Sequence, residues 1–381
     1  MAVIRLVIAF IIAIPTFITP YVQMVLHGGV DSYFEDWSAE TEYKPEYAVE
    51  LKKDPDKDFI VLNFSDIQLN PLESYGEYGE MAKETIKRCI EDVKPDLITL
   101  SGDNAWGGDL SYINVVKVID SFGIPWAAVM GNHDGSNGDK LNEFWCSTLL
   151  AGAKNSLFKF GPKGMGYGNY VINITENGKV IHSIFMMDSH TDAGDTENGK
   201  INYGKNADGS DSIGYDHFWA DQIKWYEWAV NGITRQAGGV VESSVIMHIP
   251  VYDYRTAARL ACDVTYSGDS TSMRDVTLAT VKDEYKDTAF GSLKEGVYSA
   301  EGNNGFFAKC LELGSTKNMI SGHDHVNDLS VLYDGIRLNY SLKCGPGCYW
   351  TPEKNGGSVL TIGSDGHAEF SHHYIDLGVE G

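Results

Sequence analysis

The sequence predicts an α/β protein in which the main sheet is largely parallel and buried. Short apolar runs typical of buried strands recur along the chain, segments with helical periodicity stand between the first of them, and polar clusters follow several of the runs directly. The chain has 381 residues, of which 43% are hydrophobic, so there is enough apolar material for a full core. The length fits one large domain or two.

The first elements alternate between strand and helix. The runs DFIVLNF (58–64), DLITL (96–100) and IPWAAVM (124–130) are expected to be strands. Residues 81–93 place apolar side chains on one helix face and end before Pro95, and residues 111–121 also have helical spacing. Because a helix between two strands returns the chain to the same end of the sheet, this order predicts parallel pairing.

The rest of the chain is less regular. Residues 31–57 are polar and charged with little periodicity, which predicts a linker before a folded domain at 58–381. Residues 252–302 are rich in Asp, Ser, Thr and Tyr and are interpreted as an insertion. Helices are expected at 217–230 and 303–313. Strands, which we expect to pair antiparallel towards the end of the chain, are predicted at 169–175, 180–187, 241–247, 317–321, 328–333, 336–341, 358–363 and 367–373.

Residues 1–30 are expected to form a membrane anchor or a signal segment. The run 6–26 has no charged residue and is near the ~20 residues that a helix needs to span a bilayer. Arg5 precedes the run and acidic residues follow it, so the positive-inside rule predicts export of the remainder. An uncleaved anchor is favoured, a cleaved signal peptide is the alternative, and a buried core helix fits poorly because the run has no polar face. The domain is thus expected outside the cytoplasm, either membrane-anchored or secreted.

Charge and cysteine content exclude other classes of function. The chain has 53 acidic and 30 basic residues, a net charge of −23, which argues against general nucleic-acid binding and against docking on anionic lipid. Six cysteines show no CxxC spacing, so a thiolate metal site is not expected. Cys344 and Cys348 bracket a Gly-Pro-Gly turn that could bring them into a disulfide; free buried thiols are the alternative for the other four.

Five polar clusters each follow a predicted strand. They are Ser65-Asp66-Ile67-Gln68, Gly102-Asp103-Asn104, Gly131-Asn132-His133-Asp134, His248-Ile249-Pro250 and Gly322-His323-Asp324-His325. Because ligands gather at the carboxyl ends of strands in open α/β sheets, we expect the clusters to converge on one edge. Carboxylate, amide and imidazole groups without sulfur suit Mn, Fe or Zn ions. Each cluster alone is a weak signal, but five of them in order predict a metal site.

These clusters resemble the pattern of calcineurin-like metallophosphoesterases, D-x-(H), GD, GNH(D/E), H and GHxH. The resemblance runs from about residue 59 to 373, and the GHDHVND stretch (322–328) is similar to the branch of Dcr2-type and purple-acid-phosphatase-like proteins. It implies a four-layer αββα sandwich of two mixed sheets flanked by helices. It also implies a hydrolase for small phosphoesters that uses two divalent or trivalent metal ions (Mn, Fe or Zn) and a bridging hydroxide.

The resemblance also implies a role for each matching residue. One metal would be bound by Asp66 and His325, Asp103 would bridge both metals, and the second metal would be held by Asn132, His248 and His323. The implied catalytic residues are His133, as acid and transition-state stabiliser, and Asp134, which would orient it.

Gln68 departs from the family pattern, which usually has histidine at this position. It is either a neutral oxygen ligand of the first metal, or a position where water replaces the ligand, or the mark of a weakened site. Two further residues are predicted to contact substrate, Asn104 beside the bridging aspartate and His190 after a strand end, although a structural role is the alternative for each. Trp106 and Trp145 could line the pocket, but aromatic packing in the core is the favoured interpretation.

The favoured function is a phosphomonoesterase. The alternatives are a phosphodiesterase on nucleotides or lipid head groups, and an inactive metal-binding surface protein, for which Gln68 is the only support. The oligomeric state is left open.

Overall fold

The computed structural model describes residues 29–106, 109–134, 140–191, 205–211 and 214–379. The predicted anchor or signal segment, residues 1–30, lies outside this part of the chain except for its last two residues. Within the described ranges, no helix is both long and apolar enough to cross a membrane.

The described elements largely follow the predicted alternation. The helices are α1 (Pro71–Ser74), α2 (Glu77–Val93), α3 (Asp109–Asp120), α4 (Lys140–Gly152), α5 (Ala220–Ala237), α6 (Asp253–Ala261) and α7 (Phe306–Leu313). The strands are β1 (Ala48–Lys52), β2 (Phe59–Phe64), β3 (Leu97–Ser101), β4 (Trp126–Val129), β5 (Tyr170–Glu176), β6 (Lys179–Met186), β7 (Glu242–Ile246), β8 (Cys262–Tyr266), β9 (Val276–Val281), β10 (Ala289–Phe290), β11 (Ser292–Leu293), β12 (Thr316–Ser321), β13 (Ser330–Tyr333), β14 (Ile336–Tyr340), β15 (Gly356–Ile362) and β16 (Ala368–Tyr374).

Two mixed sheets form the centre of the molecule. The smaller sheet has the order β16-β15-β2-β3-β4, with β2, β3 and β4 parallel, as predicted, and β15 antiparallel to β2. The larger sheet has the order β1-β5-β6-β7-β12-β14-β13-β10. Helices α2, α3 and α4 share one apolar core with the smaller sheet, and α5, α6 and α7 share the other with the larger sheet. The four-layer αββα sandwich is therefore confirmed.

Side chains that alternate along the strands of the larger sheet pack into a core on each of its two faces. Successive side chains of a strand point to opposite faces. Ile184 and Met186 of β6 belong to the core between the sheets, whereas Phe185 belongs to the core under the helices. Strand β7 does the same with Ile246 and Val245. The apolar ends of these strands, IFM in β6 and VI in β7, could be recognised in the sequence.

The segment predicted as a linker differs from that expectation. Within residues 31–57, β1 pairs in parallel with β5 at the edge of the larger sheet, and Tyr43 is buried against α5. A Cβ at Gly232 of α5 would collide with the Tyr43 side chain, so that glycine provides the space for the ring. The segment is thus part of the fold because its scattered aromatic residues pack on it.

The predicted insertion, residues 252–302, contains α6 and a separate small sheet. Strands β8, β9 and β11 pair antiparallel in the order β11-β9-β8. Its status as an insertion stays a prediction. The expectation of antiparallel pairing among the late strands holds for β13 with β14 and for β15 with β16, but β12 pairs in parallel with both β7 and β14.

The structure contains no bridge between Cys344 and Cys348, and all six cysteines are free. Cys344 is buried while Cys348 is exposed, so the turn does not bring the two thiols together as the sequence suggested.

Candidate metal centre

The five polar clusters meet where the two sheets end. Those containing Asp66, Asp103 and Asn132 follow β2, β3 and β4 of the smaller sheet, while those containing His248 and His323 follow β7 and β12 of the larger sheet. The clusters were expected at one edge of a single sheet, but they lie where strand ends from two sheets come together. Backbone hydrogen bonds join the loops: the amide of Asp66 donates to the carbonyl of Gly102 at 3.1 Å, and that of Gly322 to the carbonyl of His248 at 3.1 Å.

Asp66, Asp103 and His248 form a group that could hold a metal ion. One ligand atom from each residue lies within 4.8 Å of the others, and all three side chains are buried. His248 Nε2 lies 3.3 Å from Asp103 Oδ1 and 3.0 Å from Asn132 Oδ1, while its Nδ1 faces the carbonyl of Ser101 at 3.0 Å. A backbone carbonyl on Nδ1 fixes the ring with Nε2 towards the carboxylate, as in many metal-ligating histidines.

The other predicted ligands lie beside Asp66. His325 Nε2 is 3.4 Å from Asp66 Oδ1, and the backbone amide of His323 donates to Asp66 Oδ2 at 3.1 Å. The rings of His248 and His323 are 5.1 Å apart, centroid to centroid. All the residues to which the family pattern assigns a metal role are thus brought together, although their individual roles stay predictions.

Two buried atoms in this group have no hydrogen-bond partner, Gln68 Oε1 and His323 Nε2. Leaving a buried polar atom unsatisfied costs about 1–3 kcal/mol, so such atoms need an explanation. Two bound cations, one beside each atom, would satisfy both. Carboxylate and amide oxygens together with imidazole nitrogens are a donor set that Mn, Fe and Zn accept, so the residues present fit a metal.

The backbone of the site is held in an uncommon conformation. Asp66 (φ 53°), Gln68 (φ 44°), Asp103 (φ 48°) and His323 (φ 76°) all lie in the left-handed region. Each such residue costs on the order of 1–3 kcal/mol, and clusters of them are found at functional sites. The surrounding contacts of the site, and not the intrinsic backbone preference of these residues, therefore determine the loop conformations.

Gly131 has no room for a side chain. A Cβ at this position would overlap the backbone nitrogen and carboxylate of Asp103 and come within 2.8 Å of the His248 ring. Its φ is not in the left-handed region, so close approach alone requires glycine here.

The pKa shifts keep the carboxylates charged. Burial alone would raise the pKa of Asp66, but the hydrogen bond to His325 and the charges of His248 and Lys343 outweigh burial and lower it. The pKa of Asp103 is also lowered, mainly by His248 acting against burial. Burial lowers the pKa of His323 to about 3, so this imidazole is neutral, the form that binds metals. Burial would lower the pKa of His248, but the carboxylates of Asp103 and Asp66 outweigh burial and raise it to about 9. Near pH 7 the group therefore presents two carboxylates and the neutral imidazole of His323 to a cation, and His248 would release a proton when it binds a metal.

Asp134 and Asn104 lie together in a hydrogen-bond network, and their predicted roles stay predictions. The Asp134 carboxylate accepts hydrogen bonds from the amides of Gly131 (2.8 Å) and Ala105 (3.0 Å) and from Asn104 Nδ2 (2.8 Å). Asn104 Nδ2 also donates to the carbonyl of Val129 at 3.0 Å, and the residue is buried. Among the described contacts, none joins Asp134 to the His133 ring. Through the Asp134 carboxylate and Asn104 Nδ2, the two residues connect the loop after β3 to the loop after β4.

His190 also differs from its predicted role as a substrate residue. Its ring stacks on Trp219 at 3.9 Å with an angle of 11°, and its Nε2 lies 2.7 Å from Gln222 Oε1. Its backbone amide donates to Asp188. None of these contacts reaches the candidate metal centre, so the structure favours the structural alternative.

His133 lies at the edge of the group. Its backbone amide donates to Asp103 Oδ1 at 2.8 Å, and its ring is partly exposed and lies 5.1 Å from that of Trp106. Trp106 is 40% exposed, so the expectation that it packs in the core is wrong.

Sequence reasoning missed three residues that contact the group. The Lys343 ammonium is buried and donates to the carbonyl of Asp66 at 2.5 Å. Tyr349 stacks on His325 with ring centroids 4.2 Å apart, and Tyr215 meets the His323 ring edge-on at 4.4 Å. They stand outside the five motifs, and no spacing rule connects them to those motifs.

This geometry defines an αββα protein with a buried group that could hold a metal ion, and comparison with known families identifies the class. The model of the calcineurin-like phosphoesterase family matches residues 59–327. The chain therefore belongs to this family, as the five motifs indicated.

Relatives are found among plant and yeast proteins. The chain is 28% identical over 284 residues to the probable inactive purple acid phosphatase 14 of Arabidopsis thaliana, a match that covers 67% of this chain and 60% of the relative. It is 26% identical over 309 residues to the phosphatase DCR2 of Saccharomyces cerevisiae, covering 74% of this chain and 46% of the relative. The chain thus spans about half to two thirds of the length of these relatives.

Among solved structures, a dimetal phosphatase from Danio rerio is similar, with 11% sequence identity and a TM-score of 0.48. The match covers 83% of this chain and 96% of that one.

Proposed function

We propose that this protein is a metal-dependent phosphoester hydrolase with two metal ions, and that it acts on small phosphomonoesters. The observation that supports this most is the buried group of Asp66, Asp103 and His248, with ligand atoms within 4.8 Å of one another, in a chain of the calcineurin-like phosphoesterase family. Carboxylate bridges between two metals are suited to an in-line displacement at phosphorus.

The residues that would hold the metals are those brought together at the strand ends. Asp66 and His325, with Gln68 Oε1, would hold one ion; Asn132, His248 and His323 would hold the other; and Asp103 would contact both. When bound, the metal ions would supply positive charge for the phosphoryl oxygens and lower the pKa of bound water.

The chain's own residues contribute positioning and a proton. His133 is tied to Asp103 through its backbone amide at 2.8 Å, while its ring is partly exposed. A partly exposed imidazole next to the metal group can protonate the leaving oxygen of the ester. Asp134 acts indirectly, because its hydrogen bonds to Gly131 and Ala105 fix the loop on which Asn132 and His133 lie.

A catalytically inactive metal-binding protein is the second candidate. Gln68 replaces the usual histidine and donates through its amide nitrogen to Asp103 at 3.0 Å. The names of three relatives describe them as probably inactive. The buried acceptor on Gln68 and the complete remaining ligand set fit both candidates, because both bind metal. The partly exposed ring of His133 beside the ligands, a group that can donate a proton, favours activity.

We propose further that the domain acts outside the cytoplasm, anchored to a membrane by its N-terminal segment or secreted after cleavage. The uncharged run 6–26 supports this placement. The test is protease treatment of sealed, right-side-out membrane vesicles, in which the cytoplasmic face is inside. Protection of the catalytic domain would argue against this placement, whereas digestion of the domain would support it.

The function can be tested on residues 29–381 with aryl phosphate monoesters and diesters. The protein would be treated with chelator and given back Mn²⁺, Zn²⁺ or Fe²⁺, with Asp103→Asn as the variant that removes the shared carboxylate. We expect metal-restored turnover that is lost in Asp103→Asn, and faster monoester than diester hydrolysis. A preference for diesters would point to the phosphodiesterase alternative. Folded protein with bound metal and no turnover would favour the inactive alternative.

A further inference from the structure

Aromatic rings lie against three imidazoles of the candidate metal centre. The rings come from separate parts of the chain: the loop after β3, the segment before α5 and the loop after β14. The pairs, with the distance between ring centroids, are Trp106–His133 at 5.1 Å, Tyr349–His325 at 4.2 Å and Tyr215–His323 at 4.4 Å.

Two of these rings are exposed, and hydrogen bonds hold the side chain of Tyr349 and the backbone of Trp106. Trp106 is 40% exposed and Tyr349 47% exposed. The hydroxyl of Tyr349 donates to Glu295 Oε2 at 2.7 Å, and its carbonyl faces His325 Nδ1 at 3.0 Å. The backbone amide of Trp106 donates to the carbonyl of Leu69 at 3.1 Å. Large rings that are fixed but uncovered beside a site offer a flat face to a ligand.

The two exposed rings lie beside different residues of the metal group. Trp106 lies against His133, whose amide binds Asp103, while Tyr349 lies against His325, which faces Asp66. The loop after β2 passes between their backbones: its Leu69 carbonyl binds Trp106, and its Gln68 carbonyl packs on Gly347, two residues before Tyr349. A molecule with its phosphate at the metal group would extend between or along these rings.

The basic side chains described near the rings are already engaged. Arg274 lies 5.6 Å from the Tyr215 ring centroid but forms an ion pair with Glu301 at 2.7 Å. Lys343 is buried and bonded to the Asp66 carbonyl. In the described residues, these two cations are therefore not free for a second phosphate group, which favours apolar over highly charged leaving groups.

We infer that the substrate is a phosphate ester whose alcohol part carries a flat unsaturated ring, which stacks on Trp106 or Tyr349. This inference rests on the proposed function. Aromatic pairs contribute beyond the burial of area, by an amount equivalent to about 2- to 12-fold in a rate or binding constant. A saturated ring of the same size has the apolar area but lacks the flat face.

The test compares 2-phenylethyl phosphate with 2-cyclohexylethyl phosphate, whose leaving alcohols have similar acidity. The ratio of their kcat/KM values reports recognition of the flat ring and cancels any general loss of activity. We expect a ratio of about 2 to 12 for the wild-type chain, and a ratio falling towards one in Trp106→Leu, in Tyr349→Leu or in the double variant.

Phe290→Leu is the matched control. Phe290 has a comparable exposed ring, at 38%. It lines a cavity of about 380 Å³ together with Lys317, which lies at the start of β12. The metal group lies beyond the other end of β12, so this ring is away from the site. The variant should keep the wild-type ratio.

Three results would overturn the inference: a ratio near one in the wild type, a ratio that neither variant changes, or an equal fall of the ratio in Phe290→Leu. In each case, metal-dependent turnover of both esters would still support the proposed hydrolase function. No metal-dependent turnover of either ester would overturn the proposed function and the inference with it.

Discussion

The side-chain amide of Gln68 donates a hydrogen bond of 3.0 Å to Asp103 Oδ2, while its own carbonyl oxygen is buried without a partner. Gln68 therefore contacts the carboxylate expected to be shared between metals, and it has one acceptor left for a cation. The residue that departs from the family motif is thus at the centre of the group, where its chemistry determines how the first metal is held.

Replacing Gln68 by histidine should strengthen binding of the first metal. Imidazole is a better ligand than a neutral amide oxygen for Zn²⁺ or Fe, so we expect the affinity to rise on the order of 10-fold. Competition with a chromophoric chelator measures this. Gln236→His, at an exposed position of α5, is the control. Equal affinity and stoichiometry in Gln68→His and wild type would show that position 68 does not contact a metal.

Adding one methyl group at Gly131 should disable the site without unfolding the protein. The new Cβ would overlap Asp103 and approach His248, and a displacement near 1 Å in a catalytic group can cost about 100-fold in rate. Gly239→Ala is the matched control, because nothing lies within 4 Å of its Cβ position. The check is kcat/KM and metal content of both variants. Full activity in Gly131→Ala would contradict the described packing.

Much of the fold could be predicted because its central strands are buried on both faces. Strands β2, β3 and β4 read as apolar runs followed by polar ligands, and their parallel order followed from the intervening helices. Strand β1 could not be recognised: in AVELK the side chains are only half-buried or exposed, so the sequence lacks the apolar run that marks a buried strand. The same is true of β8, where exposed and half-buried side chains follow Cys262.

The site was predictable in its residues but not in their contacts. Asp66, Asp103 and His248 could be named from sequence because each is a metal-ligand residue type that directly follows an apolar strand run. The contacts of Asp134 and Asn104 could not be predicted, because they are hydrogen bonds between loops that follow different strands. Lys343 and Tyr349 reach the site from a loop that is distant in sequence, and local patterns do not report such contacts.

Acid should destabilise the fold through His182. This residue is buried in β6 with Nδ1 2.9 Å from the Gly366 carbonyl and Nε2 3.0 Å from Ser244 Oγ. Burial lowers its pKa to about 4 from 6.5. Between these values the unfolded chain binds a proton that the folded chain does not, so stability falls as the pH drops from about 6.5 towards 4.

The contribution of His182 between pH 7 and pH 5 should be about 2 kcal/mol. Urea unfolding of wild type and His182→Gln at both pH values measures it, since the variant should lose this part of the pH dependence. His367→Gln, at an exposed ring, should keep it. The same pH dependence in His182→Gln and wild type would refute the assignment.

Thiol labelling should find every cysteine free. The unfolded, unreduced chain should take up six labels, one for each cysteine. In the folded protein only Cys348, the exposed one, should react, and slowly, because burial of its sulfur raises its pKa. Mass spectrometry counts the labels. Four labels in the unfolded chain would reveal a disulfide, as the Gly-Pro-Gly turn first suggested.

The central claim is that Asp66, Asp103 and His248 bind metal at the ends of the two sheets. Crystals grown with Mn²⁺ or Zn²⁺ and measured on both sides of the metal's absorption edge would locate the ions by anomalous scattering. We predict strong peaks within coordination distance of Asp103, with one also touching Asp66 and the other His248. A well-ordered site with no anomalous peak at saturating metal, or peaks confined to other surfaces, would contradict the account.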